Sequence, residues 1–426
     1  MHVLISGAGI AGNTLACFLG RAGIRTTVIE RDSSCLTQGH SIDVEGPARV
    51  VLDRLGLIPE LHKRHTGETG TVFETLSGHS IASFPAPRKP GDNASPTSQY
   101  EILRGDLSAM LYDSARTHAS VSYILGATIS TILSSTPTSV TVRLSNSTTL
   151  TGSLLVLSDG VWSKLRTAVF PKDTISFPDR NAYLAFYTMP RTPRDTTEWR
   201  IAHAPGRRVL SLRPDPHGSV RANIGIVPRS AGEQVELKAA TRAGPAVQKA
   251  LMRRLFADAG WTETDRVLDG MDGAKDFYFQ GAVQVRMPRW TEGRVVCLGD
   301  TAWCPTPFSG MGCSLAIIGA YVLAGELSRL GGGEGEGEGV DRACAEYEKK
   351  YRPYVEEIQN IPGILPGIVF PAGWFGVGLL RAAFWLGSMV IKIPGLTNLF
   401  PDSGEEAFKL PEYGFGTAEK EETKTP

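Results

Sequence analysis

The chain lacks the patterns of a metalloprotein or a disulfide scaffold. Its six cysteines, Cys17, Cys35, Cys297, Cys304, Cys313 and Cys344, form no C-x-x-C pair, and its eight histidines form no H-E-x-x-H. Neither a structural metal nor a disulfide framework is therefore expected. It also lacks an excess of charge of either sign. Lys plus Arg number 44 and Asp plus Glu number 44, so no whole-molecule field gathers nucleic acid, and a nucleic-acid partner is set aside. No signal-peptide layout precedes the first apolar segment, which points to a cytoplasmic protein. A spanning helix needs about 20 uninterrupted apolar residues. The most hydrophobic stretch, Ile364 to Ile391, is broken by Pro366, Pro371 and several glycines and carries Arg381 in its middle. It reads as a helix packed on the body, with peripheral membrane contact through 364–391 or a substrate channel as alternatives.

What is present is a hydrophobic content of 42% over 426 residues, enough for more than one domain. His2 to Ser6 reads as a strand, Asn13 to Arg21 as a helix and Ile24 to Glu30 as a β-branched second strand. Helical character recurs at Ala48 to Leu55, Gly105 to Arg116 and Cys313 to Leu330. An exposed loop is expected from Pro85 to Pro96. Alternating segments at Ser139 to Leu144, Tyr183 to Met189, Val209 to Arg213 and Val220 to Val227 indicate a mostly β middle, and Arg294 to Leu298 returns the pattern to α/β. Gly331 to Gly339, all Gly and Glu, reads as a solvated connector that does not pack, and the polar tail as disordered.

Gly7-Ala8-Gly9-Ile10-Ala11-Gly12 is G-x-G-x-x-G between a strand and a helix. In that setting Gly7 permits the tight turn, Gly9 lets a pyrophosphate approach the backbone, Gly12 lets helix lie on strand, and unpaired helix N–H groups face the phosphates. Glu30 ends the second strand, where a carboxylate accepts hydrogen bonds from both ribose hydroxyls and repels a 2′-phosphate. This site suits FAD or NAD better than NADP. Two further acids stand just beyond apolar strands: Asp159 in Ser158-Asp159-Gly160-Val161-Trp162-Ser163-Lys164-Leu165-Arg166, and Asp300 in Gly299-Asp300-Thr301-Ala302. Ligands of open α/β sheets bind beyond the carboxyl ends of strands, so both acids are candidates for the same crevice.

In this order and spacing, the glycine motif with Glu30-Arg31, the D-G-x-x-S-x-x-R segment and the G-D segment resemble the single-component (class A) FAD monooxygenases related to para-hydroxybenzoate hydroxylase and to the tetracycline-inactivating monooxygenases. The likeness covers Met1 to roughly Arg352. It implies a Rossmann-type FAD-binding domain assembled from 1–70, 99–178 and 281–330. A β excursion at 71–98, a substrate domain at 179–280, a linker at 331–339, a helical region at 340–415 and a tail at 416–426 complete the layout. By the same resemblance Asp300 binds the ribityl chain, Asp159 shapes the crevice, Arg104 contacts FAD near its ribityl and phosphate region, and the Gln38 to Ile42 loop approaches the ring through Gly39, with His40 a less certain member. Gly310 and Gly312, leading into a helix at Cys313, let backbone N–H groups approach the flavin where negative charge gathers on reduction. Trp303, Ser314 and Gly319 depart from the family, which more often has His, Asn and Asp there.

The resemblance implies that NADPH or NADH reduces the flavin and that O2 is then used, through a flavin C4a-hydroperoxide, to oxygenate a small aromatic, polyketide or other secondary metabolite. The cofactor carries the chemistry, so no Ser, Cys or metal nucleophile is expected. Arg200, Arg213, His203 and Tyr187 are candidate liners of the substrate wall, though nothing in the sequence aims them there. A second G-x-G-x-x-G and the W-x-W-x-x-P of flavin halogenases are both absent, which argues against disulfide reductases, two-fold monooxygenases and halogenases. An FAD dehydrogenase, reductase or cyclase remains the alternative, followed by a non-catalytic membrane-associated protein on a nucleotide fold.

Overall fold

The computed structural model describes residues 1–34, 39–87, 95–98, 100–330, 336–390 and 407–415. Gln38, much of the loop expected at Pro85 to Pro96, residues 331–335 and the tail lie outside the described residues.

The chain opens with β1 (His2–Ser6), α1 (Ile10–Arg21) and β2 (Arg25–Ile29). It continues through β3 (Ser41–Asp43), α2 (Pro47–Arg54), α3 (Ile58–Lys63), β4 (Gly70–Glu74), β5 (Ser80–Pro85), β6 (Glu101–Leu103), α4 (Arg104–Ala115) and β7 (Val121–Ile124). A meander of β8 (Ile129–Ser135), β9 (Val140–Leu144) and β10 (Thr149–Gly152) leads to β11 (Leu154–Leu157) and α5 (Lys164–Val169). The middle holds β12 (Asp179–Pro190), β13 (Glu198–Ala204), β14 (Arg208–Pro214) and β15 (Ser219–Ile226), then α6 (Ala231–Ala240), α7 (Pro245–Phe256), α8 (Thr264–Gly273) and β16 (Tyr278–Val283). Last come β17 (Thr291–Glu292), β18 (Val295–Cys297), α9 (Asp300–Trp303), α10 (Gly312–Ser328), α11 (Glu336–Gln359), α12 (Leu365–Val369) and α13 (Trp374–Val390).

Two sheets organise these elements. One has six strands in the order β17-β18-β11-β1-β2-β7, parallel except for β17. Val3, Leu4 and Ile5 of β1 and all four residues of β11 are fully buried, as continuous apolar runs must be when a parallel sheet is covered on both faces. The other has seven strands, β16-β12-β15-β14-β13-β4-β5, antiparallel except where β4 joins β13. The excursion after α3 thus adds its strands to the edge of the second sheet. Helices α6 to α8 cover one face of that sheet, with Leu237, Met252, Phe256, Trp261 and Met271 packed on Tyr183, Tyr187, Leu210 and Ile224. The mostly β reading of the middle is therefore joined by three amphipathic helices that the strand signals had masked.

The Gly/Glu run differs from expectation. Residues 336–339 form the start of α11 and Gly339 is buried. The reason is an anchor: Arg294 Nη2 donates to the Gly337 carbonyl at 2.6 Å, and a Cβ at Gly337 would lie 3.3 Å from the Pro137 carbonyl. The absence of side chains is what lets this turn dock.

The apolar stretch near the C-terminus becomes α12 and α13, the latter packed across β5. Val377 and Ser388 are buried, while Phe375, Leu379 and Leu386 on the opposite face and Trp374 and Trp385 on its flank are exposed. Among the described residues no helix is long and apolar enough to cross a membrane. Residues 407–415 then strap α10: Tyr321 Oη donates to the Pro411 carbonyl at 2.6 Å, Tyr413 Oη to Glu326 at 2.6 Å, and Phe415 lies 4.9 Å from Phe18 of α1.

Candidate active site

The glycine turn between β1 and α1 is built by contact as well as by backbone freedom. Gly7 has φ 102°, and a Cβ there would lie 2.7 Å from the Ser158 carbonyl; one on Gly12 would overlap the Gly7 carbonyl oxygen. At Gly9 the space is open, the arrangement needed for a pyrophosphate to reach the N–H groups of α1. Buried Asn13 donates to the Ala8 carbonyl at 2.7 Å and accepts from Tyr123 Oη at 2.9 Å, so the turn is pinned from beneath. The Glu30 carboxylate accepts from the Ala8 N–H at 2.7 Å and the Asp32 N–H at 3.1 Å, which sets it at the mouth of the turn. Arg31 beside it is exposed and pairs with Asp32 at 3.5 Å.

The D-G segment meets this turn. Asp159 bonds the Ser6 hydroxyl and accepts from Ser163 Oγ at 2.8 Å. Burial pushes its carboxyl above the ordinary range; the two hydroxyls oppose this, and Glu30 adds repulsion. Ser163 also caps α5 by accepting from the Arg166 N–H at 3.1 Å. Arg166, 1% exposed, donates to the Thr301 and Val161 carbonyls, both at 2.7 Å. The Ser and Arg of D-G-x-x-S-x-x-R thus orient the acid and clamp it to the G-D turn. Neither had been assigned a role, although their fixed spacing was the available signal.

The G-D turn closes the crevice. A Cβ on Gly299 (φ 65°) would lie 2.9 Å from the Ala11 methyl, so this turn rests on the first helix. Thr301 Oγ1 accepts from the Gly160 N–H at 2.8 Å. Asp300 follows, its carboxyl pushed up by burial, with the Arg104 guanidinium pulling the other way. Arg104 lies in this crevice: its backbone N–H donates to the His40 carbonyl at 3.0 Å, its Cβ would stand 3.0 Å from a Cβ on Gly39, and its charge is felt at His40, Asp300 and Cys313. A Cβ on Gly312 would stand 4.0 Å from an Asp300 carboxylate oxygen. Gly310 (φ 67°) precedes it, and α10 starts with no acid in its first turn and no side-chain cap, leaving its N–H donors free for a ligand. Burial pushes the Cys313 thiol up to about 12, so it is no thiolate nucleophile.

Two family departures compensate each other. Trp303 is buried against Trp290 at 4.4 Å, and a Cβ on Gly319 would already lie 2.8 Å from the Trp303 ring. The indole occupies the room that an aspartate would need. Ser314 is buried and accepts from the Glu45 N–H at 3.1 Å.

Across the crevice stands the face of the seven-stranded sheet opposite α6 to α8. Register places Phe186, Asn223, Ser211, Ile201 and Phe73 in one row across five strands. His40 stacks on Phe186 at 4.7 Å; burial first, then the charges of Arg104, Arg213 and Arg221, push its pKa down to about 3. Of the four candidate wall residues, His203 and Arg213 lie on this face. Arg213 is held by Glu68 (2.9 Å) and Glu101 (2.5 Å) and lies over the Trp199 ring. Arg200 and Tyr187 lie on the helix-covered face, bonded to Glu74 at 2.7 Å and to the Val267 carbonyl at 2.8 Å.

Residues from three remote stretches thus share one cleft whose chemistry is that of a dinucleotide cradle: a bare glycine turn, a carboxylate at its mouth, and two acids at the ends of parallel strands. This defines a Rossmann-type flavoprotein opposite an aromatic sheet face. The FAD binding domain family matches residues 1–359, and the chain belongs to that family. It is 32% identical to "Flavin-dependent monooxygenase eupH" of Phoma sp. over 99% of both chains. It is likewise 32% identical to "Monooxygenase CTB7" of Cercospora beticola, covering 97% of this chain and 98% of that one. Among solved structures, tetracycline destructase Tet(55) superposes with a TM-score of 0.76 at 25% identity, covering 97% of this chain and 98% of that chain. The protein is an FAD-dependent monooxygenase, and the fold and cofactor implied by its motifs hold.

Proposed function

We propose that Gly7, Gly9, Ala11 and Gly12 receive the pyrophosphate of FAD, Glu30 its adenosine ribose with Arg31 at the rim, and Asp159, Asp300 and Arg104 its ribityl segment. Gly39, Gly310, Gly312 and Cys313 flank the ring. The observation that carries this reading is the pair of acids, Asp159 and Asp300, both raised by burial. Sugar and ribityl hydroxyls would satisfy such groups, because hydrogen bonds donated to a carboxylate favour its charged form. FAD, when bound, supplies the redox and oxygen-activating chemistry. The chain's own part is to bind it, keep water out through the aromatic row, and orient a substrate on Phe186, Asn223 and Ser211. The free N–H donors at the start of α10 would stabilise negative charge placed before them.

The substrate is proposed to be a small aromatic, polyketide or related secondary metabolite, with NADPH or NADH as reductant and O2 as co-substrate; the relatives named as flavin-dependent monooxygenases support the oxygenation. The purified protein should be yellow, and substrate should stimulate NAD(P)H oxidation with oxygen from labelled O2 appearing in product. A product free of the label would favour the dehydrogenase or cyclase alternative. The exposed aromatic face of α13 supports a peripheral membrane contact, which co-sedimentation with phosphatidylcholine vesicles, reduced in Trp374→Ala, would test.

A further inference from the structure

Helix α13 has one charge in seventeen residues, Arg381. An arginine in such a helix ordinarily points to water. This one does not, because Val377, Arg381, Phe384 and Ser388 recur at helical spacing on a single stripe, and that stripe faces the body: Val377 and Ser388 are buried, and Phe384 stacks on Phe73 at 3.8 Å. Arg381 Nε and Nη2 are shielded from solvent and bond nothing, and among the described residues no carboxylate lies within ion-pair range. Arg213 and Arg221, the arginines of the sheet face, each hold carboxylates, with Arg221 on Asp215 at 3.0 Å. Arg381 is the exception. Its charge is felt at His203, which is buried on the same face and pushed down to about 4 by burial and by that charge. His203, neutral or protonated, offers Arg381 no counter-charge.

The surroundings describe the missing partner. The sheet row runs from Phe186, beside His40, to Ile201 and Phe73, beneath α13; three strand spacings separate Phe186 from Ile201, roughly 14 Å. Aromatic rings stand at both ends. Within this face the Asn223 Oδ1 and Trp199 Nε1 atoms are also buried without partners. The Trp199 and Arg381 nitrogens call for an oxygen acceptor and Asn223 Oδ1 for a hydroxyl donor, chemistry that a hydroxylated, anionic planar molecule carries.

We propose that Arg381 is a substrate-binding residue that receives a delocalised oxyanion, a carboxylate, phenolate or enolate, of a planar substrate whose opposite end lies toward Phe186 and the flavin crevice. This rests on the monooxygenase reading and narrows its substrate to acidic aromatics and cyclic 1,3-diketones. The guanidinium fork matches two oxygens sharing one charge. Unliganded, the partly buried cation has no counter-charge; liganded, it is neutralised.

The test uses oxidised holoenzyme with no reductant, so it is independent of turnover. Flavin absorbance would be titrated with salicylate and with its methyl ester, and with 1,3-cyclohexanedione (as the enolate) and its enol methyl ether. In the wild type at least one anion should bind saturably and at least tenfold more tightly than its neutral partner. Arg381→Met should abolish that preference with flavin content unchanged, and Arg381→Lys should retain part of it. Ligand-free Arg381→Met should melt at the same temperature or slightly higher, since replacing an unpaired, partly buried charge by an apolar chain relieves its desolvation. A wild type preferring neither anion, a variant keeping the preference, or a ligand-free Met variant that melts lower would overturn the proposal. If Arg381→Met loses its flavin, the wild-type comparison and the Lys variant decide alone. Failure of the monooxygenase reading would look different: intact anion preference with no labelled oxygen in product.

Discussion

The two walls of the crevice differ in where their polar groups are pinned. At the glycine turn Asn13, Ser158, Ser163 and Glu30 are spent on backbone partners, with Arg166 Nε behind them left unmet. On the sheet side Asn223 Oδ1, Trp199 Nε1 and two nitrogens of Arg381 are buried and unspent. Leaving such atoms unmet costs about 1–3 kcal/mol each in the free protein. The difference separates a wall that meets one unchanging molecule from a wall whose satisfaction waits for a varied one.

The comparison is broken most severely at the cradle. Gly12→Leu would drive a side chain through the Gly7 carbonyl; flavin should be absent after gel filtration, and the variant should be destabilised by about 3 kcal/mol or more in urea. Gly319→Asp comes next, because the new carboxylate meets the Trp303 ring. It should cost at least about 2 kcal/mol, and Trp303→His in the same chain should recover much of that, a coupling a double-mutant cycle would read. Asp300→Ala should weaken FAD retention by roughly 10- to 100-fold, about 1.4–2.8 kcal/mol, without changing substrate preference. Asn223→Ala should do the reverse, raising KM several-fold with normal flavin content. A variant that moved both readouts together would show that the walls are not separable.

The smallest effect is a pH dependence. Folded His203 stays neutral down to about pH 4, whereas an imidazole in the unfolded chain takes its proton near pH 6.5. Between those values the unfolded chain binds more protons, so stability falls as pH drops from about 6.5 to about 4. His40, depressed to about 3, extends the same slope further. His203→Phe should flatten this limb of a melting-temperature profile; an unchanged slope would remove His203 as its source.

The cradle was legible in the sequence because its parts are local. Gly7 to Gly12 lies between a strand and a helix, and Asp159 and Asp300 stand two and three residues past apolar strands, so a linear pattern carries the geometry. The sheet wall was not legible because both faces of β12 to β15 are covered. Leu184 and Phe186 face the crevice while Tyr183, Ala185 and Tyr187 face helices, and both sets are apolar; a sheet buried on both faces loses the period-two contrast that assigns sides. Hence Arg200 and His203 could not be told apart until register was known. Arg381 was visible only as an interruption of an apolar stretch, since its meaning depends on what the opposite stripe of α13 touches. The Gly/Glu run misled for a related reason: glycine content signals freedom, but it also permits the close docking that Arg294 imposes at Gly337.

The strap over α10 has a bearing on how the chain is made. Phe18 of α1 is covered by Phe415, and β1 gains its neighbour β11, and β11 its neighbour β18, only after residues 154–157 and 295–297 have been synthesised. The first helix is therefore sealed by contacts of very large sequence separation, the kind whose loop-closure cost slows folding.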